Sequence, residues 1–188
     1  MKKYVLTIST ILITSSLVLS GCGKETRQTI KSNDGSHTAA AGEMHHSESG
    51  ELPEGLREKN NPTFPVGSQA LMNADHMSGM KGARAQIVGA YETTVYAVTY
   101  TPTTGGDPVQ NHKWVIHEEI QDHKEQPYAA GSKVVLSADH MKGMKGAKAT
   151  IDSAEETTVY MVDYTPTIGG DLVKNHKWVT EEELTAIQ

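Results

Sequence analysis

The segment Ala74-Asp75-His76-Met77-Ser78-Gly79-Met80-Lys81-Gly82-Ala83 returns 64 residues later as Ala138-Asp139-His140-Met141-Lys142-Gly143-Met144-Lys145-Gly146-Ala147. Each copy places one imidazole and two thioethers within five positions, on a backbone interrupted by glycine. Imidazole with thioether suits a soft ion, Cu(I) first and Ag(I) by the same chemistry. His76, Met77, Met80, His140, Met141 and Met144 are therefore the first candidate metal ligands. In a regular strand His76 and Met77 would point to opposite faces. A loop with Gly79 and Gly82 escapes that restriction, and a helical turn would put Met77 and Met80 on one face. The bland alternative is that the methionines fill the core and each histidine makes a hydrogen bond. Lys81 and Lys145 beside the ligands repel a cation, which a monovalent ion tolerates better than a divalent one.

A second repeated set is Asn111-His112-Lys113-Trp114 and Asn175-His176-Lys177-Trp178. His112 and His176 are candidates to complete the site of their own repeat as a further ligand. A structural histidine bonded to a backbone carbonyl is the competing reading. His117 and His123 face Glu181 and Ile187 in the second copy, so they belong to no repeated site and read as surface residues. Met44-His45-His46 is a short His/Met tract in a polar segment, a weak and unselective metal collector. The repeated Thr101-Pro102-Thr103-Thr104-Gly105-Gly106-Asp107 and Thr165-Pro166-Thr167-Ile168-Gly169-Gly170-Asp171 lack a P-loop lysine and read as tight turns.

These residues must be held by two tandem repeats. Gly67–Lys124 aligns with Gly131–Gln188 without a gap, and well over half the positions are identical. Repeats of this size are near the lower limit for an independent domain. The expectation is two small domains, 62–125 and 126–188, or one pseudo-symmetric pair. The pattern within each is all-β. In the second copy Gly131–Leu136, Ala147–Ala154, Thr157–Tyr164 and Lys177–Val179 read as strands, with a turn at Glu155-Glu156. Thr165–His176 reads as a long loop, and Thr180 as the N-cap of a helical turn over Glu181–Leu184. Short strands with one long loop suggest an SH3-like barrel per repeat, anchored by Trp114 and Trp178.

Ahead of the repeats, Lys2 and Lys3, an apolar run from Tyr4 to Leu19, and Leu19-Ser20-Gly21-Cys22 read as a lipoprotein signal peptide over 1–21. Cleavage would leave Cys22 as the lipidated first residue. Cys22 is the single cysteine, so no disulfide is expected and soft-metal binding must rest on Met and His. Residues 22–61 form a polar, aromatic-free tether, expected to be disordered and to span roughly 35 Å. Without the leader's two lysines, 15 basic and 23 acidic residues give a net charge of −8 with histidines neutral. That balance argues against nucleic acid as a partner. No nucleophile–base pair, acid pair or cofactor fingerprint marks an enzyme.

The blocks Asp-His-Met-x-Gly-Met-Lys-Gly-Ala, Thr-Val-Tyr-x-Val-x-Tyr-Thr-Pro-Thr and Asn-His-Lys-Trp-Val, each present twice and in order, resemble the YdhK/CopL family of bacterial lipoproteins. The resemblance covers nearly all of residues 65–188, with the lipobox and tether. It implies a lipid-anchored protein on the outer face of the cell membrane that binds and sequesters copper and contributes to copper resistance. The metal is expected to arrive from a copper-exporting ATPase or from the medium. It implies no ligand assignment, so the site residues above rest on ligand chemistry alone. A wall- or peptide-binding tandem module, with Tyr96, Tyr100, Tyr160 and Tyr164 lining a groove, is the alternative.

Overall fold

The computed structural model describes residues 49–187. The leader, Cys22, His37 and Met44-His45-His46 lie outside the described residues. The strands, in chain order, are β1 (Arg57–Glu58), β2 (Gln69–Met72), β3 (Arg84–Tyr100), β4 (Val109–Ile116), β5 (Lys133–Val135), β6 (Lys148–Tyr164), β7 (Val173–Thr180) and β8 (Leu184–Ala186). Among the described residues no α-helix forms. The helical turns are 3₁₀, at His117–Glu119 and Glu181–Glu183. Thr180 stands at the start of the second, and its backbone N–H donates to Glu183 Oε2 at 3.0 Å.

The backbone of the fold is the antiparallel pairing of β3 with β6, from Ala85 opposite Tyr164 to Tyr100 opposite Ala149. Thr93 stands opposite Thr157, its own equivalent in the other repeat. The two end pairs likewise map onto each other, so a pseudo-twofold axis passes through the middle of the pair. Each strand has 17 residues, roughly 55 Å of extended chain. A separate 60-residue domain has a radius of gyration of only about 10 Å. These strands therefore run from one lobe into another.

β6 absorbs two of the expected strands and the turn expected at Glu155-Glu156. Glu155 pairs with Val95 and Glu156 with Thr94, in mid-strand. Residues 152–156 are exposed, so their side chains carry a polar, turn-like signal. Pairing to a strand of the other repeat, invisible locally, keeps them extended.

β4 folds back on β3 and β7 on β6; β2 and β5 pair with the starts of β3 and β6. β8 returns to pair with β2, joining the end of the second repeat to the start of the first. The bridge from Ile120 to Leu136 is the corresponding join in the other direction. The pairing makes one open sheet in the order β5-β6-β3-β2-β8, not two closed SH3-like barrels. The chain closes its hydrogen bonding by exchange between repeats, which leaves no need for closure within each.

The core follows the same exchange. One cluster joins Ala70, Met72, Met80 and Ile87 of the first repeat to Tyr160, Val162 and Tyr164 of the second. Its counterpart joins Tyr96, Val98 and Tyr100 to Leu136, Met144 and Ile151. A central cluster holds Tyr91, Val95, Trp114, Val159 and Trp178. Trp114 and Trp178 are 7% and 0% exposed, core anchors as the sequence suggests.

Candidate metal centre

The glycine-broken segments are loops, and the loop of each repeat is held by the opposite repeat. Gly79 has φ +82, and a Cβ there would lie 2.8 Å from Pro166 Cβ. Gly143 has φ +81, and its Cβ would lie 2.7 Å from Thr104 Oγ1. The Thr167 N–H donates to Gly79 O, and the Thr103 N–H to Gly143 O, both at 2.9 Å. The Thr-Pro-Thr segments do form turns, with the Gly105 N–H donating to Pro102 O and the Gly169 N–H to Pro166 O. Their outer side clamps the His/Met loops.

Within each loop the two methionines part company. Tight turns close from the Met80 N–H to Met77 O and from the Ala83 N–H to Met80 O, with equivalents at 141, 144 and 147. Met80 and Met144 are 0% exposed, inside the two lobe cores. That burial is the placement the packing reading expects. Met77 and Met141 are half-buried at the lobe edge. The Tyr164 hydroxyl donates to Met77 Sδ and the Tyr100 hydroxyl to Met141 Sδ, each at 3.7 Å. Both hydrogen bonds cross from one repeat to the other. Burial raises both phenols, that of Tyr164 to about 12.

His76 and His140 each meet a carboxylate of the other repeat. His76 Nε2 lies 2.6 Å from Glu183 Oε1, and His140 Nε2 lies 2.6 Å from Glu119 Oε1. The second carboxylate oxygen is also engaged. Glu183 Oε2 accepts from Trp114 Nε1–H and the Thr180 N–H, both at 3.0 Å. Glu119 Oε2 accepts from Trp178 Nε1–H at 3.0 Å and the Ile116 N–H at 3.2 Å. Burial pushes the Glu183 carboxyl up. Hydrogen bonds from His76, the Thr180 N–H and Trp114 outweigh that and hold it below the usual range. Sequence reasoning missed both glutamates, because an acidic run at a helical start reads as solvated. The available signal was their exact recurrence, while Ile116 and His117 beside Glu119 become Thr180 and Glu181 in the second copy.

His112 and His176 are set by an unusual backbone. Asn111 and Asn175 adopt φ +50 and +52, which asparagine tolerates better than most residues. The β3–β4 register shifts on both sides of the Val98–His112 pair, and β6–β7 shifts likewise at Val162–His176. Such bulges re-aim side chains. His112 then lines a cleft of about 510 Å³ with His76, Met141, Asp75, Lys113 and Glu183. Its ring stands 6.0 Å from Tyr100 and 6.3 Å from His140. His112 thus faces candidate ligands of both repeats, not of its own alone. His176 is 1% exposed, with its ring 5.6 Å from Tyr164.

The pseudo-equivalent cleft at His140 is built differently. Glu51, Leu52 and Pro53 line it with Glu119, His140 and Lys177. Lys177 Nζ donates to Glu51 O. Among the described residues no three His, Cys, Asp or Glu side chains converge on a single ion position. A shared ion in the first cleft would therefore need the Met141 sulfur beside His76 and His112. That is a soft donor set, and it fits Cu(I) better than Zn(II) or Mg(II). His117 is spent on Tyr96 and Lys124 O, and His123 on Ile120 O.

The family profile described as "Protein of unknown function (DUF1541)" matches residues 66–117 and 130–181. The "Uncharacterized protein YdhK" of Bacillus subtilis (strain 168) is 54% identical over 185 residues, 98% of this chain and 89% of that protein. A crystal structure of a DUF1541 family protein, YdhK of Bacillus subtilis subsp. subtilis strain 168, matches with a TM-score of 0.75 at 61% identity. That match covers 77% of this chain and 99% of the other. The solution NMR structure of the YdhK C-terminal domain from B. subtilis matches with a TM-score of 0.63 at 63% identity, over 65% of this chain and 93% of that one.

Proposed function

The chain belongs to the DUF1541 family, with two copies of its domain, and from its site we propose that it binds Cu(I) through Met and His and sequesters it outside the cytoplasm. The observation that carries this reading is the cleft where His76 and His112 of one repeat meet Met141 of the other. Sequestration needs equilibrium binding and no reaction step, so the protein acts as a binder and not as an enzyme. A nitrogen–thioether set favours the reduced ion and so withholds it from redox cycling. A thioether also forms no disulfide in an oxidising compartment. Lipidation at Cys22 would tether the protein to the outer face of the membrane, where a copper-exporting ATPase would deliver the ion. Ag(I) would bind by the same donors.

The test is an anaerobic Cu(I) competition titration of the soluble chain starting after Cys22. Met77→Leu with Met141→Leu is expected to weaken binding at least tenfold. Met80→Leu with Met144→Leu is expected to leave it unchanged, because core Met-to-Leu exchange costs under about 1.5 kcal/mol in stability. Equal losses in the two variants would return the ligand role to the buried pair. No tight binding in the parent would sink the copper reading and put wall or peptide binding first.

A further inference from the structure

Resting on that reading, we propose that Nδ1 of His76 is the ligating atom. Glu183 is the positioning residue that leaves its lone pair bare, and the His140–Glu119 pair repeats that arrangement beside a cleft whose lining has no sulfur donor. Each imidazole is more than nine-tenths buried, with side-chain exposures of 8% and 5%. In both rings Nδ1 is buried and has no hydrogen-bond partner in the protein, whereas Nε2 is 2.6 Å from a carboxylate oxygen.

The protonation state follows from donor and acceptor counting. Glu183 takes two N–H donors on Oε2, from Trp114 and Thr180, which an ionised carboxylate accepts best. Glu119 is held in the same way by Trp178 and Ile116. An ionised carboxylate has no proton to give, so Nε2 is the donor in each His–Glu bond. If Nδ1 also carried a proton, an N–H would be buried without an acceptor, at a cost of about 1–3 kcal/mol. The neutral ring with its proton on Nε2 avoids that cost. It leaves a lone pair on Nδ1, and for His76 that ring lines the cleft shared with His112 and Met141.

A carboxylate behind a ligating imidazole fixes the ring's tautomer and orientation and raises its basicity. Here the carboxylate always comes from the repeat that does not supply the histidine. Neither repeat alone can therefore set the ring. Trp114 and Trp178 take part as the donors that pin each carboxylate, so the anchors of the core also fix the site.

The first test is long-range ¹H–¹⁵N correlation on the full-length chain in detergent, without metal. Both rings are expected as the neutral form protonated at Nε2. Ag(I), redox-stable and diamagnetic, is then expected to move the His76 Nδ1 signal and leave the Nε2 protons in place. A Glu183→Gln variant should bind Ag(I) and Cu(I) 10- to 100-fold more weakly, the usual effect of losing an outer-shell partner. An Nδ1-protonated ring, or a metal-induced loss of the Nε2 proton, overturns this assignment even if metal binds tightly. Absence of any metal binding overturns both this assignment and the function proposed above. Because the tautomer is read on the unaltered chain, a folding defect in the Gln variant cannot decide the outcome.

Discussion

At the scale of single residues, chemistry is divided inside a ten-residue loop that looks uniform in sequence. Met77 and Met141 stay at the rim, each under a tyrosine hydroxyl, while Met80 and Met144 are swallowed by the cores. The tyrosines carry a pH signature. Burial pushes the Tyr164 phenol up to about 12, against about 10 in an unfolded chain. The folded state thus holds this proton more tightly than the unfolded state does. Its contribution to stability is complete below pH about 10 and is lost as pH rises towards 12. Urea unfolding followed across that range should show stability falling. Tyr164→Phe should fall less steeply, and an equal slope would mean that folding does not raise the Tyr164 phenol.

At the scale of elements, the His/Met loops are shaped by what lies over them. Gly79 and Gly82 share a left-handed backbone, yet a Cβ on Gly82 would meet only Thr167 Cγ2 at an ordinary 3.9 Å, whereas one on Gly79 would be crowded below 3 Å. Gly82→Ala should cost about 1–2 kcal/mol, the price of the left-handed backbone alone. Gly79→Ala should cost clearly more, because Pro166 and Ile168 would have to give way at 2.8 and 2.9 Å. Denaturant midpoints of the two variants decide it. Equal midpoints would mean that the Thr-Pro-Thr turn yields freely and does not clamp the loop. The loop between β6 and β7 is therefore a packing element for the His/Met loop of the opposite repeat.

At the scale of the whole molecule, each lobe is assembled from the first half of one repeat and the second half of the other. The exchange runs through the β3–β6 pair, whose register maps onto itself under the repeat offset. Residues 62–125 alone would expose the faces that the second repeat covers. The same register lets β3 pair with β3 of a second copy, Thr93 opposite Thr93. The isolated repeat is thus expected to be unfolded when dilute and to fold as a symmetric dimer when concentrated. Light scattering and a concentration-dependent Tm test this. A folded monomer at low micromolar concentration would refute the exchange as a requirement for folding.

The sequence by itself determined the candidate donor set and most of the strand content. The His/Met loops, the Asn-His-Lys-Trp blocks, the tryptophan anchors and the clear strand over Thr157–Tyr164 are local signals, written in residue type and period. Tertiary structure alone decided how the repeats share them. Glu155-Glu156 read as a turn because its side chains face solvent, and only pairing with Thr94 and Val95 made it strand. The sequence reading passed over Glu119 and Glu183 because their histidine and tryptophan partners lie between 21 and 107 residues away. Two copies of one sequence present the same partner surface to themselves and to each other. Local pattern cannot distinguish closure within a repeat from exchange between repeats. Long-range strand pairing and burial of the shared cores settle it.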